Sequence, residues 1–214
     1  MTSQLLRLLE VMDRLRSPGG CPWDAEQTHQ SLIKYLLEES YEFADSVDDD
    51  DRAAMREELG DILLQVYFHS RIAQEHPTDP FSIEEVAEGI ADKLIRRHPH
   101  VFGDEAVESS ADVLANWEKL KAAEKNRNSA TDGVALSQPA LPLITKLIYR
   151  AEKNGIDLDL PTTDMNNAVP ADIAIGDALV AAVVAAIKHG LEPEDLLRSR
   201  AREISAEIKR IESL

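Results

Sequence analysis

The segment from Arg52 to Glu75, stopped by Pro77, constrains the fold more than any other part of the chain. At about 100° per residue, Leu64, Phe68 and Ile72 fall on the same side as Asp61. Met55, Leu59, Ile62, Leu63 and Val66 form a second, opposite apolar stripe. A helix apolar on both sides is expected to be enclosed by other helices. Elsewhere helical periodicity dominates and β-type alternation is nearly absent. Aromatics are only 5% of the residues, while Ala, Leu and Glu are abundant, which favours helix over sheet. The expected architecture is an all-α helical bundle.

Punctuation along the chain divides it into helices. A first helix is expected from about Ser3 to Leu15, ended by Ser17-Pro18-Gly19-Gly20, and followed by a loop at Cys21-Pro22-Trp23-Asp24. The second runs from an N-capping Thr28 to Ser46. The acidic string Asp48–Asp51 links it to the third helix, where carboxylates suit the positive end of the helix dipole. Ser82-Ile83-Glu84-Glu85 reads as a capping box opening a fourth helix that ends near Arg97, before Pro99. A fifth is expected at Ala111–Lys125. Asn126–Pro142, rich in Asn, Ser, Gly and Pro, reads as a linker. Beyond it, Gly176-Asp177-Ala178-Leu179-Val180 echoes Gly60-Asp61-Ile62-Leu63-Leu64, and Glu194-Asp195 echoes Glu84-Glu85.

Charge and cysteine usage exclude several roles. With 23 Lys and Arg against 40 Asp and Glu, the 214-residue chain carries a formal charge of -17. Such a surface repels nucleic-acid backbones and anionic lipid, so neither is an expected partner. A nucleotide remains possible, because a bound metal reverses the local sign. Cys21 is the single cysteine, which removes an intramolecular disulfide and a Cys-based zinc site and suits a reducing compartment. The N-terminus lacks the pattern of a signal peptide. The longest apolar run, Ala178–Ile187, is too short to span a bilayer. A soluble cytoplasmic protein is expected.

Two clusters carry chemistry. Glu38 and Glu39 each lie one turn from Glu42 on the second helix, and Glu58 lies one turn from Asp61 on the third. Glu39 lies within about 60° of Leu32, Leu36 and Phe43, so it sits beside apolar residues, as Asp61 does. A desolvated carboxylate must be paired, protonated or metal-bound, and few basic residues lie nearby in sequence. A solvated acidic face is the alternative. Two helices offering carboxylates inward suggest an all-oxygen site for a hard cation such as Mg²⁺. A di-iron bundle would need paired Glu-x-x-His motifs, and only Glu26-x-x-His29 occurs. The second cluster, Lys93, Arg96 and Arg97, either completes a helix C-terminus or contacts phosphates. Carboxylate-bound magnesium opposite such cations is a way to hold a triphosphate. His98 and His100 flank Pro99 and read as loop-ordering, with a catalytic part as the alternative.

Gly20-Cys-Pro-Trp-Asp24, Gln27-Thr28-His29, Leu37-Glu-Glu-Ser-Tyr-Glu42, Glu58-Leu-Gly-Asp61, Lys93-Leu-Ile-Arg-Arg-His-Pro-His-Val-Phe102 and Trp117-Glu118 together resemble the MazG family of nucleoside triphosphate pyrophosphohydrolases. The likeness covers roughly residues 5 to 125. It implies an all-α fold and Mg²⁺-dependent hydrolysis of an NTP or dNTP to the monophosphate and pyrophosphate, with water attacking the α-phosphorus. Mn²⁺ is a possible substitute and nucleotide-pool house-cleaning the implied task. On this chain it implies Glu39, Glu42, Glu58 and Asp61 as metal ligands, with Glu38 as a further ligand or the group orienting the water. Lys93 and Arg97, with Arg96, would contact phosphates, and Trp23 would line the base pocket or pin the Pro22 turn. A homodimer is also implied. Family members of this kind are longer and carry two such units. Here Leu141-Pro142-Leu143 and Ala151–Asp157 resemble a second start, but Ala174 stands where Glu58 would, Glu203 where Lys93 would, and a ligand-bearing helix is missing. The expected organisation is a catalytic unit at 1–125, a linker at 126–142, and a degenerate, structural unit at 143–214. Two alternatives stay open: a helical module that binds nucleotide and metal without turnover, or an enzyme restricted to damaged dNTPs or an alarmone.

Overall fold

The computed structural model describes residues 3–104, 107, 109, 112, 113, 116, 117, 129–161 and 169–213. Among these, every regular element is a helix. None is long and apolar enough to cross a membrane. The chain divides into two compact units, residues 1–121 and 122–214. The helix expected at Ala111–Lys125 falls mostly outside the described residues.

In the first unit, α1 (Gln4–Arg16) is capped by Ser3, whose hydroxyl accepts from the Leu5 N–H. It stops where anticipated, for a steric reason. Gly19 adopts φ +82°, and a Cβ on Gly20 would collide with the carbonyl oxygens of Arg14 and Leu15. The Cys21 N–H then closes the turn onto the Leu15 carbonyl at 2.8 Å. The expected loop after it is instead a short helix, α2 (Pro22–Glu26). Proline at its first position is pre-set in φ and has no N–H to leave unpaired, so it opens the helix rather than forbidding it.

Thr28 caps α3 (His29–Asp48) in a reciprocal box: its hydroxyl accepts from the Ser31 N–H, and the Ser31 hydroxyl accepts from the Thr28 N–H. A tight reversal follows, with Asp50 in the left-handed region at φ 52°. Asp51 then caps α4 (Arg52–Ala73) by accepting from Ala53 and Ala54 N–H groups. α5 (Ile83–Arg97) opens on the expected capping box, with the Ser82 N–H donating to Glu85 Oε2 at 2.6 Å. A further short helix, α6 (Pro99–Phe102), was not legible in the pattern.

The core of this unit joins α1, α3 and α4 through Met12, Leu32, Tyr67 and Phe68, with Leu63, Leu64 and Ile72 packed around them. Burying Met12 or Leu32 this completely contributes about 1.5–3 kcal/mol each. Arg16, its side chain only 4% exposed, ties the corner together. It pairs with Glu75, donates to the Asp24 and Gln27 carbonyls, and lies 5.6 Å from the Phe68 ring centroid. The expected enclosure of α4 is only half realised. Its Leu64–Phe68–Ile72 side packs in this core together with Leu63 of the opposite stripe, but Leu59 and Val66 of that stripe are exposed, because no described helix of this chain covers them.

The second unit is built from α7 (Ala140–Lys153), α8 (Ala171–Lys188) and α9 (Pro193–Glu212), each touching the other two. α7 starts inside the expected linker, so Pro142 lies in its first turn, where no intrahelical N–H bond is lost. Small side chains let α8 approach closely: Ala174, Ala181, Val183 and Ala186 are buried, with Ile148 and Ala151 buried on α7.

Candidate functional site

The reversal at Asp50 sets the register of the α3–α4 hairpin. Glu39 and Asp61 are each eleven residues from Asp50, and Glu42 and Glu58 are each eight. Two antiparallel helices joined by a tight turn bring such equidistant positions side by side. Each of Glu39, Glu58 and Asp61 accordingly offers a carboxylate oxygen, all within 4.8 Å of one another. All three are partly buried, whereas Glu38 and Glu42 are exposed.

Electrostatics show the strain of this arrangement. Partial burial, then repulsion from Asp61, Glu42, Glu58 and Glu38, raises the pKa of Glu39. Glu58 is raised as well, by partial burial first, then by Glu42, Asp61 and Glu57 and by a hydrogen bond with Glu42. Every one of these influences opposes ionisation, and no cation offsets them at either residue. Oxygen-only donors, clustered and mutually repelling, are the donor set a hard divalent cation satisfies. The residues fit a metal.

The basic residues lie on α5, which packs against α4. Lys93 and Arg96 are exposed, and Arg97 is buried. Trp23 on α2 is half-exposed, with its ring edge-on to Tyr35 at 6.1 Å and 68°. His98 donates its Nδ1–H to the Leu94 carbonyl at 2.7 Å, and its ring neighbours those of His100 and Trp117. In the second unit Asp177 is exposed, and among the described residues it joins no group able to hold a metal.

The sequence reading missed one polar contact on the same hairpin. His29 and His69 meet Nδ1 to Nδ1 at 2.8 Å with ring planes 6° apart. Gln65, buried one turn from His69, leaves its Oε1 without a protein partner, as does Nε2 of His69. Forty residues separate the two histidines, and no local pattern links them.

Comparison with known proteins agrees with this geometry. Residues 27–102, which hold Glu38, Glu39, Glu42, Glu58, Asp61 and the basic cluster, match the model of the MazG nucleotide pyrophosphohydrolase domain. A nucleoside triphosphate pyrophosphohydrolase/pyrophosphatase MazG of Thermotoga maritima is 36% identical over 97% of this chain and 85% of its own length. The chain belongs to the MazG nucleotide pyrophosphohydrolase family. Nucleoside triphosphate pyrophosphohydrolases of Mycobacterium tuberculosis and Escherichia coli are similar to it as well, at 44% and 45% identity over 85% and 72% of the chain. This MazG chain spans only 55% and 60% of the length of those two relatives.

Proposed function

We propose that this chain hydrolyses nucleoside or deoxynucleoside triphosphates to the monophosphate and pyrophosphate, by attack of water on the α-phosphorus. The observation that carries the reading is the convergence of Glu39, Glu58 and Asp61 within 4.8 Å on the hairpin of a MazG chain. Glu39, Glu42, Glu58 and Asp61 would hold Mg²⁺, or Mn²⁺ in its place. Bound there, the metal would neutralise phosphate oxygens and lower the pKa of water in the site.

The remaining work falls to side chains. Glu38, exposed beside Glu39, accepts a hydrogen bond from the attacking water and orients it, or adds a ligand. Lys93 and Arg96 project from α5 to meet the departing pyrophosphate. Arg97, buried at the end of the same helix, acts on the phosphates from within the protein. The half-exposed Trp23 ring offers a face on which a base stacks, which would accept any base. A homodimer is part of the reading: Ile33, Leu37 and Tyr41 form an exposed row on α3, beside exposed Leu59 and Val66 on α4. The unit at 143–214 is structural, since Asp177 lacks carboxylate partners among the described residues. Nucleotide-pool house-cleaning is the role that suits such an activity.

The test is to incubate the full chain with each NTP and dNTP plus Mg²⁺ and identify products. Monophosphate and pyrophosphate support the proposal. Diphosphate with phosphate, or binding without turnover, refutes it.

A further inference from the structure

The last helix carries an apolar seam that the activity does not use. On α9, Leu197, Ala201, Ile204, Ile208 and Ile211 recur at intervals of four, three, four and three residues. That spacing keeps all five within about 80° around the axis. It is the repeat by which two helices wrap on each other. All five are exposed: Leu197 58%, Ile204 59%, Ile208 51% and Ile211 57% as large side chains, and Ala201 as a small one. Inside its own unit α9 is covered only near its start, and the rest of the helix is exposed. Pro193 is buried, and Glu194 and Arg198, partly buried, pair with each other at 2.6 Å.

The charges beside the seam select its occupant. Arg200 and Glu207 flank one edge of the stripe, seven residues apart. In a parallel pair of α9 helices, Glu207 would face Glu212 of the second copy, and Arg200 would face an uncharged serine. In an antiparallel pair centred between Ala201 and Ile204, Arg200 of each copy faces Glu207 of the other, twice by symmetry. The same register sets Leu197 against Ile208 and small Ala201 against large Ile204, so bulky and small side chains alternate across the seam. Arg200 and Glu207 already pair within the helix, with Glu203 and Arg210 respectively. Those pairs are exposed and weak enough to be shared or exchanged.

We propose that α9 pairs antiparallel with α9 of a second copy of this chain, through Leu197, Ala201, Ile204 and Ile208, with reciprocal Arg200–Glu207 contacts fixing the direction. This interface is separate from the carboxylate hairpin, and its test does not depend on the activity.

The test is sedimentation equilibrium of the full chain across a dilution series, with circular dichroism confirming unchanged helix content. Arg200→Glu and Glu207→Arg each turn two attractions into two repulsions, so each raises the dissociation constant about tenfold. The double variant R200E/E207R exchanges the charges and restores wild-type association. I204E/I208E removes the seam and the association that runs through it. Association through another part of the chain is common to all variants and cancels in the comparison. If Glu207→Arg alone strengthens association, the helices pair parallel and the proposal is wrong. If all four variants associate like the wild type, α9 does not pair with itself and the proposal is also wrong.

Discussion

Replacing Glu39 by Gln removes one charge from a group whose oxygens lie within 4.8 Å of one another. At that separation a like-charged pair such as Glu39 and Asp61 costs about 0.9 kcal/mol even at the dielectric of water. For a chain of this length, relief of about 1 kcal/mol raises the melting temperature by about 2–4 °C. Metal-free E39Q should therefore melt above the metal-free wild type. The order reverses when Mg²⁺ is added. At a hundred times its dissociation constant, a cation bound only by the folded state stabilises the wild type by about 2.7 kcal/mol, or about 5–11 °C. E39Q, with one anionic donor fewer, should lose most of that rise and all turnover while keeping its helix content. Melting curves over a Mg²⁺ titration read all of this. If E39Q melts lower without metal, or gains as much from Mg²⁺ as the wild type, the shared-cation reasoning fails.

Other outcomes follow from individual contacts. Arg16→Met strands the Asp24 and Gln27 carbonyls and leaves the Glu75 carboxylate with Arg71 as its remaining ion pair, and should cost about 2–4 kcal/mol in urea unfolding; no measurable loss would show that the α1–α2 corner is held by something else. Burial, and then its neighbour His29, lowers the pKa of His69. The folded state thus favours neutral His69, so this stability is complete above the ordinary value of 6.5 and is lost as pH falls below it. His69→Gln should flatten the acid side of the stability profile, and an unchanged slope below pH 6.5 would contradict the assignment. Asp177→Asn should leave turnover unchanged, and lost activity with an intact fold would show that the second unit is catalytic.

Helix starts were legible because their signals are local. Thr28 and Ser82 cap as their pattern suggested, Ser3 caps the helix it was expected to begin, and Gly19-Gly20 ends α1 for want of room. Pro22 misled, since the same residue that ends a helix also begins one. The carboxylate spacing showed which residues share a face, but not that Glu39 would meet Asp61. That juxtaposition depends on the turn at Asp50, whose left-handed backbone an aspartate tolerates without announcing it. The double stripe of α4 indicated how much apolar surface needs covering, not what covers it, and Leu59 and Val66 remain exposed. His29 and His69 meet only through tertiary packing, beyond the reach of any periodicity.

Turnover in ¹⁸O-labelled water tests the central claim most directly, with wild type and Asp61→Asn compared side by side. Attack at the α-phosphorus by a site built on Glu39, Glu58 and Asp61 puts the label in the nucleoside monophosphate and leaves the pyrophosphate unlabelled, and D61N releases neither product. Label in the pyrophosphate or in free phosphate, or undiminished turnover by D61N, would contradict the account.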